Sequence, residues 1–189
     1  MTGSTPSEVM RGLGIVQAGA PILDSPTRTF DLPAERGIAA AVIEDLIAAM
    51  NRVARVHPFA KGMGIAAPQI GVDRSAAVVR PVDSPDSVIV LLNPSIVASS
   101  LECDEQFEGC LSFFDVRGLV PRPLRITVQT ATPSGELVSA EYDRGLARLI
   151  SHEVDHLSGL LYRARMCEGV EPIPIELYRQ TGQQWTYEH

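Results

Sequence analysis

The stretch that most restricts the fold is RGLARLISHEVDHLSG, residues 144 to 159. Leu146, Leu149, Ile150, Val154 and Leu157 recur at helical spacing and Gly159 supplies a stop, which predicts a helix from about Arg144 to Ser158. Projected at about 100° per residue, it has a broad apolar side, continued by Leu160 and Leu161, while Arg144, Arg148, Ser151, Asp155 and Ser158 gather on the other. His152 and His156 fall at the edge of the apolar side, and Glu153 falls inside it. A carboxylate buried there is costly unless something compensates it, so a solvated face that merely happens to contain HExxH fits poorly. Asp155, on the polar side, reads as surface or as support for its neighbours rather than as a ligand.

HEVDH, residues 152 to 156, matches H-E-x-x-H. Two histidines one helical turn apart can share a metal ion, and the glutamate beside the first can act as general base on a water that the metal binds. Two imidazoles leave a tetrahedral catalytic site needing one more protein ligand and one open position. The metzincin pattern would place a third histidine where this chain has Tyr162, so that route fails. Glu176 is a formal thermolysin-like candidate among Pro172 and Pro174. His57, before a proline, and His189, at the terminus, read as exposed and without a role. Cys110, in EGCLSFF at residues 108 to 114, is then the best candidate, since thiolate is a strong ligand for borderline and soft cations. A nucleophilic Cys110 would need a base, and the paired histidines are better used as ligands.

The rest of the chain defines what can surround the helix. Residues 1 to 14 read as a loose start, and after Pro33 and Glu35 the positions Ile38, Val42, Leu46, Met50 and Val53 predict an amphipathic helix. AAVVRPV, SVIVLL, PSIVAS, RITVQTA and ELVSAEY, separated by turn signals, predict strands. Helix, strands, helix is the order of an α+β fold, with mostly antiparallel strands and an N-terminal helix. We expect one domain over residues 1 to 189, with 168 to 189 as a tail; 45% hydrophobic content can fill its core.

A formal net charge of -7 without any Lys/Arg run argues against an extended grip on nucleic-acid phosphates. No apolar run approaches the roughly 20 residues of a membrane span, and the first residues lack a secretory pattern. The expected setting is the cytoplasm. Three cysteines without a C-x-x-C pair are expected to stay reduced. GMGIAAPQIG, residues 62 to 71, lacks the Lys-Ser/Thr ending of a phosphate loop; its glycines allow close approach of a second backbone, and Gln69 brings one amide able to donate into a pocket.

Taken together, GMGIAAPQ, EGCLS and HEVDHLSG resemble, in order and separation, the three motifs of peptide deformylases, which remove formyl from the N-terminal formyl-methionine of new chains. IVQAGAPIL, LLNPSIV and GLLYRARM extend the resemblance over most of residues 15 to 166. It implies an α+β fold of mostly antiparallel strands packed around a central metal-binding HExxH helix, in which Cys110, His152 and His156 bind a metal and Glu153 handles the proton. It implies that Gln69 and the Leu111 N–H face the oxygen of the scissile formyl group, and that backbone around Met63, Gly64, Ile65 and Gly109 pairs with the substrate peptide as an added strand. The implied ion is Fe2+, with Zn2+ or Ni2+ possible in purified protein; the ligand types alone suit zinc.

The implied partners are N-formylmethionyl peptides of nascent chains, with transient ribosome contact possible. Residues 168 to 189 hold four glutamates against one arginine, which does not support docking through a basic tail. Met63 and Leu149 are placed to wall a pocket for the methionine side chain, and Glu108 with Arg122 is placed to form a buried pair fixing the Cys110 strand. Asp24 and Phe113-Phe114-Asp115 depart from what many deformylases have at those places, and the second departure bears on the pocket rim. Two rival readings are a zinc peptidase using His152, His156 and Glu176, and a formyl-peptide binding protein with a structural metal.

Overall fold

A computed structural model describes residues 4–84 and 86–181. Three helices and nine strands set the site, with a fourth helix at the end. In order they are α1 (Pro6–Gly12), α2 (Arg36–Val56), β1 (Met63–Ala66), β2 (Ala76–Arg80), β3 (Ile89–Leu92), β4 (Ser95–Ser99), β5 (Cys103–Glu108), β6 (Val116–Pro123), β7 (Arg125–Ala131), β8 (Leu137–Asp143), α3 (Arg144–Leu157), β9 (Ile173–Pro174) and α4 (Ile175–Thr181). The strands form three sheets, β1-β2-β3, β4-β7-β8 and β5-β6-β9, and every pair of these strands is antiparallel.

The β2 strand shows why α3 is central. Successive side chains of a strand point to opposite faces. Ala76 and Val78 accordingly pack with Ala39, Val42, Leu46 and Met50 of α2, while Ala77 and Val79 pack with Ala147, Ile150 and Leu157 of α3. The first sheet is thus covered on both faces, and α3 in turn touches β6 and β8 on its other sides. A helix enclosed in this way has no solvated face over most of its length. Arg148, Ser151 and Asp155, grouped above on a polar side, are buried, and only the terminal Arg144 and Ser158 of that group are exposed. Amphipathic periodicity misassigned this side because a buried polar residue and a surface one look alike along a helix.

Three further expectations are corrected. The loose start contains α1, closed by a capping box between Thr5 and Glu8 and seated by Met10, which is buried. The tail from 168 contains β9, paired with β6, and α4, whose Ile175 is buried in the main core. Residues 182–189, with His189, lie outside the described residues. In α2 the inward face begins at Ala39 and leaves Ile38 exposed. The expected end of α3 is met by a Ser158 cap and Gly159 at φ 73°, where a Cβ would fall 2.7 Å from the Ser25 backbone. Only glycine satisfies both the left-handed conformation and that close approach.

Candidate active site

α3 places His152 and His156 one turn apart, their rings 5.0 Å from centre to centre. Cys110 comes from the opposite side, at the end of β5, where an extended residue leads into a short 3-10 turn, Leu111–Phe113. Its sulfur lies 3.2 Å from His156 Nε2, and the three ligand atoms of Cys110, His152 and His156 all fall within 4.8 Å of one another. Donors around a tetrahedral cation with ordinary Zn–S and Zn–N lengths stand about 3.5 Å apart, so this group fits one metal ion. Glu176 is exposed on α4 and is not among the grouped ligands of the described residues, which removes the thermolysin-like set.

Behind Cys110, His152 and His156 lies a buried polar layer. Glu108 Oε2 is 3.0 Å from His152 Nδ1, which fixes the imidazole so that Nε2 faces the metal position. The same carboxylate receives a two-point contact from Arg122, Nε to Oε1 at 2.9 Å and Nη2 to Oε2 at 3.0 Å, and a third from Arg148 Nη1 at 2.8 Å. Arg122 also donates to Asp155 at 2.6 Å, and Asp155 receives Arg165 at 2.6 Å. The expected Glu108–Arg122 pair is therefore present. Asp155 is one of its supports and is not at the surface.

Burial alone would raise the Glu108 carboxyl, but hydrogen bonds from His152 and Arg122 hold it well below the usual carboxylate range. Burial holds His156 well below the usual imidazole value. Burial would do the same at His152, yet its hydrogen bonds to Cys110 and Glu108 raise it well above. Protons compete with a cation for these groups, so its affinity weakens as pH falls.

Glu153 is 3% exposed, and burial pushes its carboxyl up to about 7. Its Oε2 makes no hydrogen bond among the described residues. Gly64 is what lets it reach this position: a Cβ there would fall 2.7 Å from Glu153 Cδ and Cγ. The Gln69 amide is oriented by Ala66, whose N–H donates to Oε1 at 2.9 Å, so that Nε2 points at Ser112 Oγ (3.3 Å) and Cys110 Sγ (3.7 Å). Within the turn after Cys110, the N–H groups of Ser112 and Phe113 bond back to Cys110, and the Leu111 N–H stands ahead of them.

Gln69, His152 and Glu153 line one cleft whose apolar walls include Met63, Leu111, Phe114 and Leu149. One side of it is β1, an edge strand of its sheet; Gly109 faces it at the end of β5. Ile65 sends its side chain into the core, leaving only its backbone for this edge.

A family model described as polypeptide deformylase matches residues 13–170. The chain belongs to that family. Peptide deformylases remove the N-formyl group from nascent polypeptides and depend on a metal, and this chain is such a hydrolase. A peptide deformylase of Halalkalibacterium halodurans is 33% identical over 172 residues, covering 86% of this chain and 94% of that protein. Peptide deformylase 1B of Arabidopsis thaliana, solved with an inhibitor, superposes with a TM-score of 0.72 at 30% identity, covering 88% and 86% of the two chains. The class I type b peptide deformylase of Acinetobacter baumannii, solved with Met-Ala-Ser bound, gives a TM-score of 0.68 at 30% identity, covering 80% and 96%.

Several residues of this deformylase site had no signal in the sequence. Arg148 and Asp155 were hidden among polar helix positions. His57, expected to be exposed, is half-buried, its ring edge-on to Phe59 at 4.8 Å and to Phe114 at 5.0 Å. A His-Pro-Phe stretch carries no periodicity that would have placed His57 against Phe114, which lines the cleft. The two phenylalanines of EGCLSFF part company: Phe113 packs on Tyr162 at 4.6 Å, and Phe114 lines the cleft.

Proposed function

We propose that Cys110, His152 and His156 hold one divalent metal ion, and that Glu153 moves the proton in hydrolysis of N-formylmethionyl peptides. The observation that carries this reading is the grouping of the Cys110, His152 and His156 ligand atoms beside a cleft that His152, the buried Glu153 and Gln69 line together. When bound, the metal supplies a Lewis acid and brings the pKa of a water toward about 7. Glu153 takes the proton of the attacking water and delivers it to the amine nitrogen as the formyl C–N bond breaks, leaving formate and a free amino terminus. Gln69 Nε2 and the Leu111 N–H donate to the formyl oxygen as it gains charge; loss of one such donor costs about 10²- to 10³-fold in rate.

The peptide adds as a strand along Met63, Gly64 and Ile65 and meets Gly109 across the cleft, with the methionine side chain resting on Met63 and Leu149. A related deformylase carries Met-Ala-Ser, which supports a methionine-first peptide as the occupant. Fe2+ is the ion we assign on the family resemblance, although one thiolate and two imidazoles also accept Zn2+ or Ni2+. We further infer that the chain acts as a single catalytic domain, in the cytoplasm, with at most transient ribosome contact. Among the described residues no helix is long and apolar enough to cross a membrane.

Anaerobic purification with Fe2+, metal analysis and formate release from formyl-Met-Ala-Ser test this reading. Cys110→Ala is expected to lose the metal and Glu176→Ala to keep it. The reverse result, or internal cleavage of the peptide without formate, would replace the deformylase site with that of a zinc peptidase.

A further inference from the structure

The first helix lies outside the span that the family model matches, yet it is bonded to the turn that forms the cleft wall. A helix of seven residues does not hold itself in water. Besides its own capping box, α1 has a reciprocal clamp with the second half of EGCLSFFD. The Ser7 N–H donates to Asp115 Oδ1 at 2.8 Å, and the Phe114 N–H donates to Ser7 Oγ at 2.8 Å. Met10 is 2% exposed in the same core cluster as Leu111 and Phe114.

The clamp acts on one particular ring. Phe114 is 4% exposed, edge-on to His57, with the Arg117 guanidinium stacked 4.3 Å above its centre. It lines the cleft that holds Gln69 and Glu153, and it also lines the adjoining hollow that reaches Lys61 and Tyr178. Moving this ring changes the width of the first space at the expense of the second. The backbone at Phe114 is where the ring is anchored, and its N–H is held by Ser7.

We propose that Phe114 is a specificity-determining residue, which sets the size of the first side chain the cleft accepts, and that α1 positions it through Ser7 and Asp115. This rests on the cleft being the site of deformylation. A wall tied down at its backbone discriminates by shape, because a bulkier side chain has to displace it; a wall released from its tie gives way at little cost.

The test is the ratio of kcat/KM for formyl-Met-Ala-Ser over formyl-Phe-Ala-Ser, measured on the metal-loaded full chain. Ser7→Ala and Asp115→Ala are each expected to lower the ratio about fivefold or more while kcat on the methionine peptide stays within about twofold. Ser7→Thr, which keeps the hydroxyl, is expected to retain the parent ratio, and Phe114→Leu to lower it. An unchanged ratio in Ser7→Ala and Asp115→Ala, or in Phe114→Leu, overturns the inference. So does an equal loss of rate on both peptides, which is what a merely structural role for α1 produces. A parent protein that releases no formate from either peptide overturns the deformylation reading itself, whereas a parent that does, with an immovable ratio, overturns only the inference about Phe114 and α1.

Discussion

Among the described residues Glu153 has no hydrogen-bond partner at one carboxyl oxygen, and burial raises its carboxyl to about 7. As a proton acceptor it works only when ionised, so kcat/KM should rise with pH through an acid limb near or below that value, since a cation bound beside it favours the carboxylate. Glu153→Ala should keep its metal and lose about 10²- to 10⁴-fold in rate; unchanged formate release would remove Glu153 from the mechanism. The same shift has a cost in the metal-free protein. A folded pKa above the ordinary 4.5 means that the folded state binds more protons, so Glu153 lowers stability as pH rises from about 4.5 to about 7.

Glu108 has the opposite sign. Its folded pKa is depressed, so its contribution is fully present above the unfolded value of about 4.5 and is lost as pH falls through the depressed one. Arg122→Met leaves two buried carboxylates short of their main partner and should destabilise by about 3–5 kcal/mol in denaturant unfolding. Glu108→Ala frees the His152 ring and should weaken metal binding by about 10- to 100-fold in a competition titration. Retention of both stability and affinity in these variants would show that the layer behind the ligands is passive.

Among the elements, β1 and α3 are matched to one another at a single position. Gly64 on the edge strand leaves room for Glu153 on the helix, so Gly64→Ala forces the Glu153 carboxyl out of place. Displacement of about 1 Å can cost about 10²-fold, and this variant should lose activity while keeping its metal and its circular dichroism. The turn after Cys110 is held from two sides. α1 binds Phe114 and Asp115 by Ser7, and the Ile175 N–H at the start of α4 donates to the Asp115 carbonyl at 2.8 Å. The two clamps lie in segments that read from sequence as a loose start and a tail. Short elements of this kind have too few residues to show a period, and they exist because a distant turn offers them partners.

For the molecule as a whole, the metal and the apolar core make separable contributions. The packing of α2 against one face of β2 and of α3 against the other does not pass through Cys110, His152 or His156. Chelation should therefore abolish formate release and lower Tm, in line with loss of a ligand that binds only the native state, yet leave a cooperative unfolding transition. A chain that unfolds outright on chelation would show that the metal centre also carries the fold.

By itself the sequence determined what depends on near neighbours in the chain. The pairing of His152 with His156 follows from helical geometry, β2, β3, β4, β7 and β8 from their turn signals and β-branched runs, and the α+β class from their order, whereas β1, β5, β6 and β9 carried no such signal and were missed. The resemblance of three short motifs sufficed for the family, because those motifs hold the groups that chemistry cannot exchange. Tertiary structure alone decided which polar residues are buried and what satisfies them. Arg148 reaches Glu108 across 40 residues and Arg122 reaches Asp155 across 33. No local period encodes such a partner; a buried charge is stable only where a second element brings its counter-charge, and that meeting exists only once the sheets close around α3.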